Sequence, residues 1–306
     1  PVFSHQILLS SARYRYIQRK LIRIVERTLI ALTQHAKVSH FKPLAIEASF
    51  GPGKDEQLPP LEIDLQGGRK MKLRGRIDRI DSAQIGNQSY LRVIDYKSSS
   101  RDLDLNELYY GLSLQLLTYL DVAVENANYW LGHDAEPAGV LYVHVHNPIL
   151  KIEQELNEMD LDLERMKKYK MKGLLMEDSD SLIAMDEELE QGGSSKIIPV
   201  YLKKDGSTSE SKSRVVPRVA MSQLKNFVRQ KHQEAGNAIL SGDTAIQPYR
   251  LKGRTACDYC SFKSVCQFDP TDQEQQYLNL KADKPANIVG KIREELKCKN
   301  GAIDSN

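Results

Sequence analysis

Two short strings constrain this chain more than anything else in it: Gly75-Arg76-Ile77-Asp78 and Val93-Ile94-Asp95-Tyr96-Lys97. Each falls in a stretch that reads as a strand, Arg69 to Ile80 and Tyr90 to Tyr96, and the residues between them, Asp81 to Ser89, are rich in turn formers. The pattern predicts a hairpin that brings the Asp78 and Asp95 carboxylates together. Two carboxylates, a backbone carbonyl and waters suit Mg²⁺, a hard ion that prefers oxygen ligands. Lys97 lies two residues after Asp95, and side chains alternate along a strand, so its ammonium is predicted on the same face. There it can orient a metal-activated water and stabilise negative charge as that water attacks phosphorus. A residue at 96 could do neither.

Other elements surround the hairpin. Tyr14, Ile17, Leu21, Ile24, Val25, Thr28, Leu29 and Leu32 recur at helical spacing within Ser10 to His40. The other face of that helix carries Arg13, Arg15, Arg19, Lys20, Arg23 and Arg27 against a single acid, Glu26, and reads either as a phosphate-tracking surface or as a solvated face. Pro43 to Phe50 and Leu61 to Leu65 read as strands, giving a β-meander. The intervening Gly51-Pro52-Gly53-Lys54-Asp55 lacks the spacing and the hydroxyl of a nucleotide loop. After Asp104 and Glu107, a capping-box-like pair, Leu105, Leu108, Leu112, Leu116, Leu120 and Val124 predict one helix to about Ala127. Gln115 and Tyr119, four apart on that helix, put an amide and a phenol where they can support the metal's ligands or the nucleic-acid strand. Val140 to Val145 and Ile197 to Leu202 read as strands, Ser222 to Ser241 as a helix, and the stretch from Asp269 onward as polar and loosely ordered.

Charge is uneven along the chain. The net charge is +2, but residues 151 to 195 carry a balance of −7, which leaves the remainder at +9 and compatible with a polyanion partner. We read the acidic stretch as a helical lid or partner surface. No run approaches the length of a membrane helix and the start shows no signal sequence, so membrane spanning and secretion are not expected. Three of the four cysteines stand in Cys257-Asp-Tyr-Cys260-Ser-Phe-Lys-Ser-Val-Cys266, a spacing that points to a metal or cluster in a reducing compartment. Zinc would require a fourth ligand, with Cys298 or His232 as candidates, and an iron–sulfur cluster would require a fourth thiolate.

A Gly-Arg-Ile-Asp strand, an Asp-x-Lys strand and a helix with Gln-x-x-x-Tyr, in that order, resemble the PD-(D/E)xK nucleases, and within them the RecB-like group. The stretches Pro137-Ala-Gly-Val-Leu-Tyr-Val-His-Val-His146-Asn-Pro148, Met171-Lys-Gly-Leu-Leu175, Leu202-Lys-Lys-Asp-Gly206 and the cysteine segment extend the resemblance to the nuclease part of AddAB-type helicase-nucleases. The resemblance implies a restriction-endonuclease-like α/β core, a central mixed sheet flanked by helices, with a C-terminal iron–sulfur-type cysteine segment. It implies that Asp78 and Asp95 bind the catalytic Mg²⁺, that Lys97 is the catalytic lysine, and that Gln115 and Tyr119 belong to the supporting motif. Cys257, Cys260 and Cys266 would hold a 4Fe-4S cluster, with zinc as the alternative. The activity implied is Mg²⁺-dependent degradation of single-stranded DNA, in the 5′ to 3′ direction, by a bacterial cytoplasmic heterodimer with an AddA-like helicase-nuclease partner, in double-strand break repair and recombination.

Some parts of the family pattern are absent. RecB-like nucleases also use a His from an early helix in a Gly-x-x-x-His setting, whereas His35 and His40 lack that context. No cysteine precedes Cys257, so the resemblance places both that His and the fourth cluster cysteine in chain upstream of residue 1, with Cys298 a free thiol. Glu47 is a further candidate acidic ligand or a cross-strand surface residue. Arg76 and Arg101 are candidate DNA contacts. His144 and His146 share a strand face and read as a metal pair lacking a third ligand, or as structural residues. The expected organisation is a nuclease domain over 1–268, with an acidic helical insertion at 150–196 and the cysteine segment at 257–266, then a polar tail over 269–306, all part of a longer chain. Two rival readings are a stand-alone Cas4-like iron–sulfur exonuclease and a non-catalytic DNA-binding scaffold.

Overall fold

A computed structural model describes residues 11–53, 57–150, 157–272 and 275–303. The expectations for the first ten residues, for Lys54 and Asp55 and for the start of the acidic stretch at 151–156 fall outside these. Contacts divide the chain into two compact units. The first comprises Pro1–Pro60, Arg74–Leu103 and Tyr119–Met221, and the second Leu61–Leu73, Asp104–Thr118 and Ser222–Asn306.

The first unit opens with helix α1 (Ala12–Lys37), whose N-cap Ser11 accepts from the Tyr14 amide. Only Thr28, Ala31 and His35, at helical spacing in its second half, are buried. The chain then builds a six-stranded mixed sheet from β1 (Lys42–Phe50), β4 (Gly75–Ile85), β5 (Gln88–Lys97), β6 (Glu136–His144), β7 (Lys172–Met176) and β10 (Val215–Val216), in that spatial order. β2 (Leu61–Asp64) and β3 (Lys70–Leu73) form a separate hairpin in the second unit, and β8 (Gly193–Ser194) pairs with β9 (Tyr201–Leu202). The central strands β5 and β6 are parallel, while β4 runs antiparallel to both β1 and β5. Ile77, Ile80, Leu91, Val93, Ile94, Val140 and Leu141 are fully buried, as expected of strands covered on both faces. The hairpin is thus the middle of the sheet, and its ends are held in place from both sides.

Several elements depart from the sequence reading. The expected strand Arg69 to Ile80 is two strands broken at Arg74, and its second half runs on to Ile85, so most of the expected turn is strand and only Gly86 and Asn87 make the bend. Ile80, Ala83 and Tyr90 point into the core, and that burial outweighs the polar composition of the stretch. The single helix expected after Asp104 is two, α2 (Leu105–Tyr109) and α3 (Gln115–Glu125), separated at Gly111, whose positive φ ends the first; a short α4 (Ala127–Leu131) follows. Asp104 does cap α2, accepting from the Asn106 amide, whereas Glu107 lies 4.0 Å from Arg254. The acidic stretch is not an all-helical insertion. It carries α5 (Glu158–Lys167) and α6 (Ser179–Met185), but between them β7 is a buried strand of the central sheet. The expected strand from Ile197 to Leu202 is reduced to β9.

In the second unit, α7 (Arg218–Leu240), which begins in the first, stacks Phe227 on Tyr109 with rings parallel at 5.7 Å. A small sheet of β11 (Tyr249–Leu251), β12 (Arg254–Thr255) and β13 (Leu278–Asn279) flanks the cysteine segment, where α8 (Lys263–Cys266) is one turn. The tail expected to be loosely ordered forms α9 (Pro285–Ile303). It is pinned where the Asp283 amide donates to Asn106 Oδ1 at 2.7 Å and Asn106 Nδ2 donates to the Asp283 carbonyl, with Ile288 and Ile292 buried. Among the described residues no helix is long and apolar enough to cross a membrane.

Candidate active site

β4 and β5 pair antiparallel up to Arg79 and Ile94; Asp78 and Asp95 are the next residues on each strand. The Tyr96 amide donates to Asp78 Oδ2 at 2.9 Å, fixing one carboxylate against the strand that carries the other. Asp95 is almost fully buried, and Lys97 Nζ stands 2.7 Å from its Oδ2. The ammonium pairs with one lone pair of that oxygen, and a carboxylate, with about four acceptor sites, keeps others for a further partner. Burial pushes the Asp95 carboxyl up from its ordinary value and the nearby Asp78 charge adds to this, while Lys97 opposes both. Two carboxylates on adjacent strands, one of them almost fully buried, are an all-oxygen donor set that fits a hard divalent cation. Among the described residues no third His, Cys, Asp or Glu converges with them.

The other face of the same hairpin is locked by a buried ion cluster that the sequence reading missed. Asp81, fully buried, accepts from Arg79 Nε at 2.5 Å and Nη2 at 3.0 Å, and from Arg92 Nε and Nη2 at 3.0 and 2.9 Å. Arg79 also reaches the Tyr96 hydroxyl, and Arg92 lies over the Phe41 ring. Alternation along the two strands was the available signal: residues 79, 81 and 92 fall on the face opposite 78 and 95.

The remaining candidates divide. Tyr119 sits edge-on to Phe50, ring centroids 5.9 Å apart, over Gly75 at the start of β4, so it supports the strand that carries Asp78. Gln115 is exposed one turn earlier on the same helix. Glu47 is the residue of β1 across from Asp78, between the paired positions Ile46 with Arg79 and Ala48 with Ile77. Its φ of +53° is unusual for a residue with a side chain, and its carboxylate pairs with Arg76 Nε at 3.0 Å on the exposed edge. It is therefore a cross-strand ion pair here and does not join the two aspartates. Arg101 is exposed.

His144 is the parallel register partner of Lys97, as Tyr142 is of Asp95, so it extends the acid-bearing face onto the next strand. This neighbour could not be read from sequence, because the parallel register depends on the α3–α4 crossover. Burial, His146 and Lys172 lower the His144 pKa, against the opposing effect of the Ser98 backbone.

The cysteine segment departs from expectation. Cys257, Cys260 and Cys266 are half-buried free thiols of one turn-and-helix segment, but no metal-binding group of three ligands forms among the described residues. His232, a candidate fourth ligand, is engaged with Thr118 Oγ1 at 2.8 Å, and Cys298 is exposed on α9. The residues present do not converge as a cluster site.

A mixed sheet carrying an Asp on one strand and Asp-x-Lys on the next, backed by a helix with Gln-x-x-x-Tyr, defines a class of metal-dependent nucleases. The chain belongs to the PD-(D/E)XK nuclease superfamily, whose family description matches residues 2–267. It is 70% identical over 297 residues, 97% of its length, to the B subunit of an ATP-dependent helicase/deoxyribonuclease from Lysinibacillus sphaericus. Proteins of the same description from Listeria innocua and Bacillus cereus are each 47% identical over 95% and 97% of the chain. The chain spans about a quarter of the length of these curated relatives.

Proposed function

We propose that this chain is the nuclease domain of an AddB-like component of a helicase/deoxyribonuclease and hydrolyses phosphodiester bonds of single-stranded DNA. The observation that carries the reading is the Asp78, Asp95 and Lys97 constellation at the ends of β4 and β5, where the buried Asp95 oxygen and the Tyr96-anchored Asp78 carboxylate share one face. Asp78 and Asp95 would hold Mg²⁺. When bound, the ion supplies the Lewis acidity that makes water nucleophilic near neutral pH. Lys97, one-third exposed, has its ammonium poised to orient the attacking water and to balance charge gathering on the phosphoryl oxygens. Tyr119 holds the start of β4 through Phe50, so it acts by positioning. Gln115, Arg76 and Arg101 are assigned to contacts with the nucleic-acid strand.

The whole-protein reading is a cytoplasmic heterodimer with an AddA-like helicase-nuclease partner that degrades one unwound strand, in the 5′ to 3′ direction, during break repair. It is supported by the identity to B subunits of helicase/deoxyribonucleases over nearly the whole chain. A structural 4Fe-4S cluster on Cys257, Cys260 and Cys266 has their spacing in its favour and their unconverged thiols against it, and iron and sulfide analysis of the purified protein decides between the two. The test of the nuclease reading is cleavage of end-labelled single-stranded DNA by the full-length protein with its partner, Mg²⁺ and ATP. Asp78→Ala and Lys97→Ala are expected to abolish cleavage of one strand while unwinding persists. Unchanged cleavage in both variants would hand the fold to the scaffold reading.

A further inference from the structure

The sheet ends at Lys97 and His144, and α1, packed on the face opposite the two acids, runs past that end. Lys97 and His144 end the parallel strands β5 and β6 side by side, and the Val145 amide donates to the Lys97 carbonyl at 2.8 Å. The chain then turns so that the His146 ring stacks on His144, parallel within 6° at 3.8 Å, its Nδ1–H donating to the His144 carbonyl at 2.9 Å. Tyr169 clamps this turn, with its hydroxyl donating to the His146 carbonyl at 2.7 Å. Asn147, the next residue, accepts through Oδ1 from Arg27 of α1. A continuous set of backbone and side-chain contacts thus leads from the end of β5 to the middle of that helix.

Beyond Arg27 in the C-terminal direction, α1 lies against the body of the first unit: Thr28, Ala31 and His35 are buried, and His35 feels the charges of Arg92 and Arg79. In the N-terminal direction no residue from Ala12 to Glu26 is buried. The packed half lies on the Arg79 and Arg92 face of the hairpin, behind the two acids, and Arg27 marks the Lys97 end of the sheet, so the unpacked half continues past that end from behind the acid-bearing face. On it, Arg13, Tyr16, Lys20, Arg23 and Arg27 follow at spacings of three, four, three and four residues, which is one stripe of a helix surface. At 1.5 Å per residue the stripe is about 21 Å long. The one acid of the helix, Glu26, is not in it; the exposed Leu21, Val25 and Leu29 lie on a different side, and the exposed Ile30 closes the stripe one turn after Arg27.

We propose that this stripe is the track for a single nucleic-acid strand that crosses the stacked His144 and His146 rings on its way to or from Lys97. The inference rests on the nuclease reading and names where its substrate lies. Four cations along about 21 Å, with Tyr16 filling the turn between Arg13 and Lys20, can follow the repeated charge of a sugar–phosphate backbone, and the Tyr16 ring offers a base a surface to stack on. The flat imidazole pair is the surface between the track and the catalytic ammonium. Charge complementarity selects a polyanion over an apolar partner for this side of the helix.

The test is binding of the full-length protein to a fluorescent single-stranded oligonucleotide in EDTA without ATP, followed by anisotropy across a salt series. The triple variant R13A/K20A/R23A removes three exposed side chains, so its fold is checked by circular dichroism alongside. Its log K against log salt slope is expected to be shallower than wild type by about 2, near 0.7 for each lost phosphate contact. A charge-matched control, K37A/K203A/K204A, is expected to retain the wild-type slope. A triple variant with the wild-type slope, or a control that loses as much, overturns the track, the second result meaning that net charge alone is read. Asp95→Ala separates the two readings: cleavage lost in that variant with an unchanged triple-variant slope removes the track and keeps the nuclease, whereas cleavage retained removes the nuclease whatever the slope.

Discussion

Lys97 Nζ stands 2.7 Å from Asp95 Oδ2, yet the carboxyl is still held above its ordinary pKa because burial and Asp78 outweigh the ammonium. A buried group whose folded pKa is raised binds its proton more tightly in the folded state, so ionising it at neutral pH costs stability. That cost is absent at pH below the unfolded carboxylate value and grows as pH rises through the folded one. Asp95→Asn is therefore expected to raise the thermal midpoint at pH 7 in EDTA, with the gain disappearing toward pH 3. Mg²⁺ is expected to stabilise the wild type and to leave the variant unmoved, since a ligand that binds only the folded protein raises its stability. Calorimetry with and without the ion checks both, and a lower midpoint for the variant at pH 7 would show that Asp95 is not a stored cost.

Behind the acids, Asp81 is shared by Arg79 and Arg92, and all three are removed from water or nearly so. Desolvation lowers the Arg92 pKa while Asp81 opposes it. Removing the carboxylate leaves two guanidiniums without their partner in the core, a change that costs about 3–5 kcal/mol in comparable buried pairs. Asp81→Ala is expected to lose that much in urea unfolding and to lose cleavage with it. The double variant Asp81→Leu with Arg92→Met, which removes the charge pair together, is expected to recover part of the stability. No recovery would mean that packing against Phe41, and not charge, governs the site.

The Asp95 and Lys97 pairing of the candidate site was legible because the two residues stand two apart on one strand. Asp95 and Lys97 must share a face if they share a strand, and the structure pairs them. Alternation likewise separated Asp81 from Asp78, although the sequence carries no mark of which polar residue on a strand is buried. What was hidden depends on contacts far apart in the chain. The turn-rich composition of Asp81 to Ser89 concealed a strand, since Ile80, Ala83 and Tyr90 are apolar enough to hold it in the sheet. β7 lay within an acidic stretch because the charges are on its flanking segments, while Leu174, Leu175 and Met176 are buried. α9 was unreadable for a similar reason: two isoleucines and the Asn106–Asp283 exchange order a segment whose own composition is polar.

Gly75 begins β4 beneath two rings. A Cβ built there would lie 2.8 Å and 2.9 Å from Phe50 ring carbons and 3.3 Å from Tyr119 Cε1. Both rings must move to admit a methyl, and both brace the strand that carries Asp78. Gly75→Ala is expected to cost about 1–3 kcal/mol, the range for overpacked sites. At saturating DNA the cleavage rate is expected to fall while binding in EDTA holds. Phe50→Leu in the Gly75→Ala background is expected to restore part of both losses, and a second variant as slow and as unstable as the first would remove the rings as the cause.

His35 contributes a pH dependence of its own. It is 6% exposed, both ring nitrogens lack a hydrogen-bond partner, and burial, with Arg92 and Arg79 adding, lowers its pKa to about 4. The unfolded chain takes up a proton near pH 6.5, and the folded chain does so only near pH 4. Stability is thus fully present above pH 6.5, falls as pH drops between these values, and levels off below the lower one, a loss of about 3 kcal/mol in all. Chemical denaturation from pH 7 to pH 4.5 is expected to show that slope in the wild type and to show a flatter one in His35→Leu. The variant fills the same space without a titratable ring, so cleavage at pH 7.5 is expected to be unchanged. Equal slopes for the two proteins would mean that His35 is hydrated or paired in solution and takes its proton as readily folded as unfolded.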